Sequence, residues 1–436
     1  MFTDENAQAA GSYLLGFMCM TINTDESLND LNIVLRDNKR VMSTFLHEYI
    51  HYLQNFTSTS GLYSSGHYTQ LVKYAVDQVK NNVATSIQLP LKVDHNHNRL
   101  AIHKLNVIYR GDSQPIRRVI YNDKYSFQET ITPKVGEPIR PFRYVVNLTC
   151  VDTRKQINYN FGITALKEFV AHTIQNKFLE IEHPDAPYLL VDLIINKELP
   201  NFTDEKLKIV LCDACLMHYH PGELFFGIID KLQQVGDMYP KDPKEFYDFL
   251  FEGVSLSGLM GDFDNVNDLF SETFDSAEKD YDNLFGSYIF EKELKWIKHI
   301  LTEARKIRLE NPTFLLDLVD GDGNLTWEFK RIFENMGTPF FLNIKKEAGL
   351  VPPTDMLQDP PDQPYLLYTA SIVLEQIYGD SGRCSMYEFC KKSNESKDLT
   401  DDNCQKNPFL KMNDSELCPF GQLTKTWGLS ALNLQR

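Results

Sequence analysis

Residues 42–56 read MSTFLHEYIHYLQNF. Phe45, Leu46, Ile50 and Leu53 recur at the three- and four-residue spacing of an α-helix, with no proline or glycine to interrupt it. Asp37 or Asn38 supplies an N-cap, so the spacing predicts a helix from about 38 to 56. His47 and His51 stand at i and i+4 on that helix and project from one face, their Cβ atoms about 5–6 Å apart. Both imidazoles can then reach one metal ion. Glu48 follows the first histidine and lies beside such an ion rather than on it, where its carboxylate can take a proton from metal-bound water. The plainer alternative is a helix whose histidines are hydrogen-bonded to neighbours.

The chain around this segment has 436 residues, with 44 basic and 60 acidic side chains, a formal charge of -16 and a pI near 5.2. A hydrophobic fraction of 42%, with 28 Phe and 21 Tyr, is ample for a buried core and excludes global disorder. Net acidity argues against non-specific nucleic-acid binding, which needs a basic surface to displace counterions, and against polybasic membrane attachment. The N-terminal MFTDENAQAAGSYLLGFMCM carries acidic residues where a signal peptide needs positive charge. No segment offers the roughly eighteen uninterrupted apolar residues of a spanning helix. The expectation is a soluble, cytoplasmic protein whose eight cysteines do not build a disulfide framework.

Outward from the first helix, Tyr13 to Thr21 reads as a strand and Asn23 to Asp30 as a polar loop. A second helix is expected near His67 to Asn82. Between Ser86 and Asn160 the segments IQLPLKV, RLAIHKLNVIY and FRYVVNLTCV, separated by Gly, Pro and Asn/Asp clusters, read as a strand-rich insertion. Helix returns at Gly162 and dominates to about Pro312. The acidic stretch 262–282 is rich enough in Phe and Leu to pack against the body. A proline-rich linker, Val351 to Pro364, precedes a helix from Tyr365 to Tyr378 stopped by Gly379. Two regions are expected: a catalytic region over 1–350, and a C-terminal helix with a cysteine-bearing segment over 351–436.

Residues 47–51 and the helix around them resemble the zincin metallopeptidases; the resemblance covers little else of the chain. It implies zinc as cofactor, His47 and His51 as ligands and Glu48 as general base. The metzincin extension needs Gly and His where this chain has Gln54 and Thr57, which excludes that subgroup. The gluzincin type takes a glutamate from a later helix, and the candidate is Glu168 in GITALKEFVAHTIQ, 117 residues beyond His51. Ile163, Leu166, Val170 and Ile174 form the apolar stripe there, with Glu168 and His172 opposite it. Gluzincins often show Asp four residues after this Glu. Here His172 takes the place, itself a candidate ligand, supporting residue or transition-state donor. Glu223, His218 and Glu180 are the alternatives for the third ligand, and Glu168 with His172 also reads as a solvated polar face. Tyr219, His218 and His220 are candidate oxyanion donors by spacing, although an ordinary loop role suits each as well.

Cys384, Cys390, Cys404 and Cys418 gather in one loop-rich stretch. They read as a second, structural zinc site with all-cysteine ligation, as free structural thiols, or as disulfides; the paired CxxC spacing of many zinc sites is missing. Cys212 and Cys215 fall in an apolar helical run and read as small core residues. Asp320 to Asn324 suggests a calcium loop, but Leu318 and Phe329 occupy two of its ligand positions, so a tight turn is expected.

The sequence therefore predicts a predominantly helical α+β protein with a zincin-like core, its two metal-bearing helices separated by a strand-rich insertion over about 86–160. The expected activity is a zinc-dependent endopeptidase acting on an intracellular protein or peptide. Narrow specificity, a closed cleft, or an activator or inhibitor protein would restrain it, as would suit a regulated stress or defence protease or a toxin. The alternatives are a non-catalytic, zinc-stabilised binding protein and a metal-dependent hydrolase of a non-peptide amide.

Overall fold

Asn38 opens the helix read from the sequence: its side-chain oxygen accepts from the amides of Arg40 and Val41, both at 3.1 Å. The computed structural model describes residues 10–26, 37–82, 84, 86–92, 98–122, 125–131, 141–258, 261–393 and 396–436. Helix α1 runs Lys39–Phe56, and every residue from Val41 to Phe56 is buried. It is therefore a core helix rather than a surface amphipath, and its polar residues must find partners inside the protein. Tyr49 and Tyr52 donate to the carbonyls of Gly337 and Met336, both at 3.1 Å. At its C-terminal end, Arg308 Nε donates to the Thr57 carbonyl at 2.6 Å. A cation at that end answers the negative pole of the helix.

Beside α1 lies a four-stranded sheet. Strand β1 (Gly11–Leu14) pairs antiparallel with β2 (Cys19–Ile22), β2 pairs parallel with Phe340–Asn343, and Ala348–Gly349 closes the far edge. The sequence suggested one strand over Tyr13 to Thr21; the chain instead folds back as a hairpin through Gly16, whose φ of 80° suits glycine. Residues 27–30 of the expected polar loop lie outside the described residues. Helix α2 (Thr59–Lys80) starts earlier than expected, capped by the Ser58 hydroxyl.

The insertion is less strand-rich than its pattern implied. RLAIHKLNVIY lies within helix α3 (Asn98–Arg110), which buries His103, Leu105, Asn106 and Ile108 and joins α2 through hydrogen bonds from Ser64 to Asn106 and between His67 and His103. Strands β3 (Val119–Tyr121), β4 (Ser126–Glu129), β5 (Phe142–Cys150) and β6 (Gln156–Phe161) form the second sheet. In it, β5 pairs with β6 along one edge and with β4 and β3 along the other.

From β6 the chain turns directly into helix α4 (Ile163–Phe178). Gly162 makes that turn possible, since a Cβ there would stand 2.2 Å from the Tyr109 carbonyl oxygen. Helix α4 packs on α1 and on α5 (Glu205–Cys215), where Cys212 and Cys215 are buried in the core as expected. The acidic stretch forms most of α6 (Val266–Phe285), laid along α2. Helix α7 (Glu291–Glu310) supplies Arg308. Asp185–Tyr188, Leu190–Glu198, Pro243–Phe251 and Trp327–Met336 are helices the sequence reading did not assign. Asp320 accepts from the amides of Asp322 and Asn324 at 2.9 and 2.8 Å, giving the tight turn expected there.

Helix α8 (Leu366–Tyr378) ends at Gly379 and packs on α2 and on α9 (Pro419–Thr426); Leu434–Gln435 pairs in parallel with Ile87–Gln88. Residues of this C-terminal region share the main apolar core. Helix makes up about 55% of the described residues and strand 12%, a predominantly helical α+β composition. Among the described residues, no helix is long and apolar enough to cross a membrane.

Candidate metal centre

Helices α1 and α4 pack face to face, and the contact brings His47, His51 and Glu168 together across 117 residues or more of sequence. His47 Nε2 lies 3.1 Å from Glu168 Oε2, His51 Nε2 lies 3.4 Å from the same oxygen, and the two Nε2 atoms are 3.2 Å apart. A tetrahedral ion with bonds of roughly 2.0–2.1 Å has edges of about 3.3 Å, so these separations are those of three corners of such a site. Among the described residues this is the set of three or more His, Cys, Asp or Glu whose ligand atoms all lie within 4.8 Å of one another.

The protons can be placed from the surrounding amides. Gln175 Nε2 donates to the Ser43 carbonyl at 3.2 Å, which turns its oxygen toward His47 Nδ1 at 3.0 Å. Gln54 Nε2 reaches the Lys167 carbonyl at 3.5 Å, and its oxygen meets His51 Nδ1 at 3.0 Å. Each amide oxygen can only accept, so each histidine carries its proton on Nδ1. Each Nε2 then presents a lone pair to the other and to a carboxylate oxygen. Three lone pairs at hydrogen-bond distance repel one another unless a metal ion, or a second proton on an imidazole, lies between them.

The electrostatics carry the same demand. Burial opposes charge on His51, but the facing Glu168 carboxylate outweighs it and raises the His51 pKa. Burial likewise opposes charge on Glu168, yet His51 and His47 hold it well below the usual carboxylate range. Glu48 behaves differently: burial raises its pKa, the two histidines lower it in part, and Glu168 raises it again. It is thus the more basic of the two carboxylates. The Glu168 side chain remains 21% exposed while the histidines are nearly covered, so solvent reaches the cluster from the Glu168 side.

No protein-family model, curated protein or solved structure matches this chain.

Other residues singled out in the sequence serve elsewhere. Tyr219 bonds Thr273 at 3.0 Å, His220 Nε2 donates to the Phe142 carbonyl at 2.9 Å, and His218 Nδ1 accepts the His220 amide at 3.1 Å. Glu180 and Glu223 are exposed, and neither they nor His218 join the cluster. Of the pair on α4, His172 is buried, and its Nε2 accepts from Asn176 Nδ2 at 3.0 Å. That puts its own proton on Nδ1, a buried atom with no partner. Burial, with His183 beside it, lowers the His172 pKa to about 4, so it stays neutral at physiological pH.

Four residues around the cluster were not singled out. Gln54 and Gln175 fix the histidines. His183 Nε2 shares the Gln175 oxygen at 3.1 Å, and its ring stacks 5.8 Å from that of His47. Tyr188 lies 4.3 Å from the His183 ring, and burial, Glu168 and Glu48 raise its pKa. Gln175 did carry a signal, since it lies two helical turns beyond Glu168 on the same face.

Proposed function

We propose that this chain is a zinc-dependent metallopeptidase that hydrolyses peptide bonds of a protein or peptide. The observation that carries the reading is the convergence of two imidazole lone pairs and one carboxylate oxygen at the spacing of tetrahedral corners. Two histidines and a glutamate, with a fourth position left over, form a donor set suited to catalytic zinc. His47, His51 and Glu168 would hold the ion. When bound, zinc lowers the pKa of a coordinated water from 15.7 toward about 7 and polarises a carbonyl.

The remaining work falls to the chain. Gln175 and Gln54 hold each Nδ1 proton, so each Nε2 stays aimed at the ion. Glu48, next to His47 in sequence and raised in pKa by burial, accepts the proton from the attacking water on its carboxylate. It then returns that proton to the leaving amine nitrogen. Tyr188, kept protonated by burial, is an O–H donor beside the cluster for the oxyanion.

Metal analysis and cleavage profiling of a proteome test the reading together. Wild-type protein should hold zinc at this centre and cleave. Glu48→Gln should keep the zinc and lose cleavage, and His47→Ala should lose this zinc. Unchanged metal content in His47→Ala, or full cleavage by Glu48→Gln, would refute the assignment.

A further inference from the structure

The segment from Gly379 to Cys418 has little regular structure to hold it. Among its described residues the longest elements are the α-helix Tyr387–Lys392 and the 3-10 helix Pro408–Asn413, six residues each, alongside the shorter Lys397–Leu399 and Asn403–Lys406. Ten of its described residues are buried, and four of those are Cys384, Cys390, Cys404 and Cys418. None is in a disulfide. Met386, Phe409 and Met412 anchor it in the main apolar core together with the four cysteines, and a metal would add a staple to that packing.

The four buried thiols share one neighbourhood, although no three of their sulfurs lie within 4.8 Å of one another. The Cys384 amide donates to the Cys404 carbonyl at 2.7 Å, joining two of the cysteine-bearing turns. Cys384 lies in electrostatic range of the other three sulfurs, Cys390 of Cys404 and Cys418, and Cys418 of Cys404. One donor meets a sulfur directly, the Gly421 amide at Cys418 Sγ at 3.4 Å, while the Ser396 hydroxyl donates to the Cys390 carbonyl at 3.4 Å. Cys418 is the N-cap of α9, where the helix pole favours a thiolate. The buried Lys411, ion-paired to Asp401 and Asp414, adds a cation near Cys404 and Cys418. Burial raises the pKa of all four thiols, and at Cys418 the Gly421 amide and the helix pole favour the thiolate that a metal would draw out.

We propose that Cys384, Cys390, Cys404 and Cys418 close on one structural zinc ion that staples the C-terminal segment. The sulfurs are gathered more loosely than the His47, His51 and Glu168 atoms, and binding draws the short turns inward to a shell of roughly 2.3 Å Zn–S bonds. Each ligating thiol gives its proton to solvent, so uptake releases up to four protons and strengthens with pH. The site stands apart from the proposed catalytic centre and does not depend on it.

The test uses the full chain carrying His47→Ala and His51→Ala, purified without chelators. One equivalent of zinc should remain, released when a mercurial modifies the thiols and read with a metallochromic dye. Cobalt substituted for it should show the sulfur-to-metal charge-transfer bands of a tetrathiolate. Cys390→Ser in the same background should lower the zinc content; because that variant can fail to fold, mercurial titration of the unmutated thiols stands as the independent measurement. No zinc in the double-histidine variant, iron with labile sulfide in its place, or four freely reactive native thiols would each overturn the proposal. Zinc present in wild type but lost with the two histidines refutes this site alone. One equivalent retained equally in both proteins refutes the catalytic centre instead.

Discussion

Gln175→Leu tests the proton placement on which the proposed metal centre rests. The amide makes three contacts: its oxygen takes His47 Nδ1 at 3.0 Å and His183 Nε2 at 3.1 Å, and its nitrogen serves the Ser43 carbonyl at 3.2 Å. Leucine keeps the volume and removes all three. Loss of a partner behind a ligand histidine costs about 10–100-fold in metal affinity, or roughly 1.4–2.8 kcal/mol. The Ser43 carbonyl, left buried without its donor, costs a further ~1–3 kcal/mol of folding stability. Gln175→Glu separates these effects, because a carboxylate still accepts from His47 Nδ1 but cannot donate to Ser43. It should retain zinc affinity while losing stability. Competition against a chromophoric chelator gives the affinities, and urea unfolding of the metal-free protein gives the stabilities. Equal zinc affinity for Gln175→Leu and wild type would show that His47 does not depend on this amide, and the proton placement would fall.

Three further outcomes follow from the structure. A Cβ on Gly11 would stand 2.8 Å from Glu48 Cγ and Oε1, so Gly11→Ala should displace the proposed base and cut kcat at least about tenfold; unchanged kcat with unchanged zinc content would show that Glu48 is not positioned by β1. Arg308 and Asp213 form a buried two-point ion pair at 2.6 and 3.0 Å, so Arg308→Met alone should cost about 3–5 kcal/mol in urea unfolding. Adding Asp213→Leu should recover part of that loss, and a double variant as unstable as the sum of its single variants would contradict the pairing. Burial lowers the pKa of His67 to about 3 and of His103 to about 4, the latter also through Arg110. Both lie below an unfolded value near 6.5, so their stabilising contribution is complete above that pH and falls away on acidification. Between pH 7 and 5 each should cost up to about 2 kcal/mol, and His67→Gln with His103→Leu should flatten the unfolding midpoint over that range.

The helix that carries both histidines was legible because cap, periodicity and motif agree over eighteen residues. Glu168 was legible as a carboxylate opposite an apolar stripe at the right point in the chain. The burial of α1 on every face was not, because seven polar residues there (Ser43, Thr44, His47, Glu48, His51, Gln54 and Asn55) look like a solvent face until their partners arrive from α4 and elsewhere. RLAIHKLNVIY was misread because a short alternating run also fits a helix, and His103 and Asn106 pair with α2 in a way that only the tertiary fold reveals. The amide beside His47 comes from 128 residues away and belongs to no motif.

The long reach of the contacts on α1 bears on the order in which the protein is made. Thr57 is clamped by Arg308, 251 residues later, and Tyr49 and Tyr52 close only on Gly337 and Met336. At about 5–20 residues per second, a ribosome needs roughly 12–50 s to go from the end of the helix to its clamp. Throughout that interval the helix bearing both histidines lacks its anchors. Chains truncated before residue 308 should be cut by added protease near Thr57, and chains completed through Gly337 should resist. Assembly of the His47, His51 and Glu168 cluster is thereby tied to synthesis of the chain through Gly337, which would withhold the proposed activity from any shorter nascent chain.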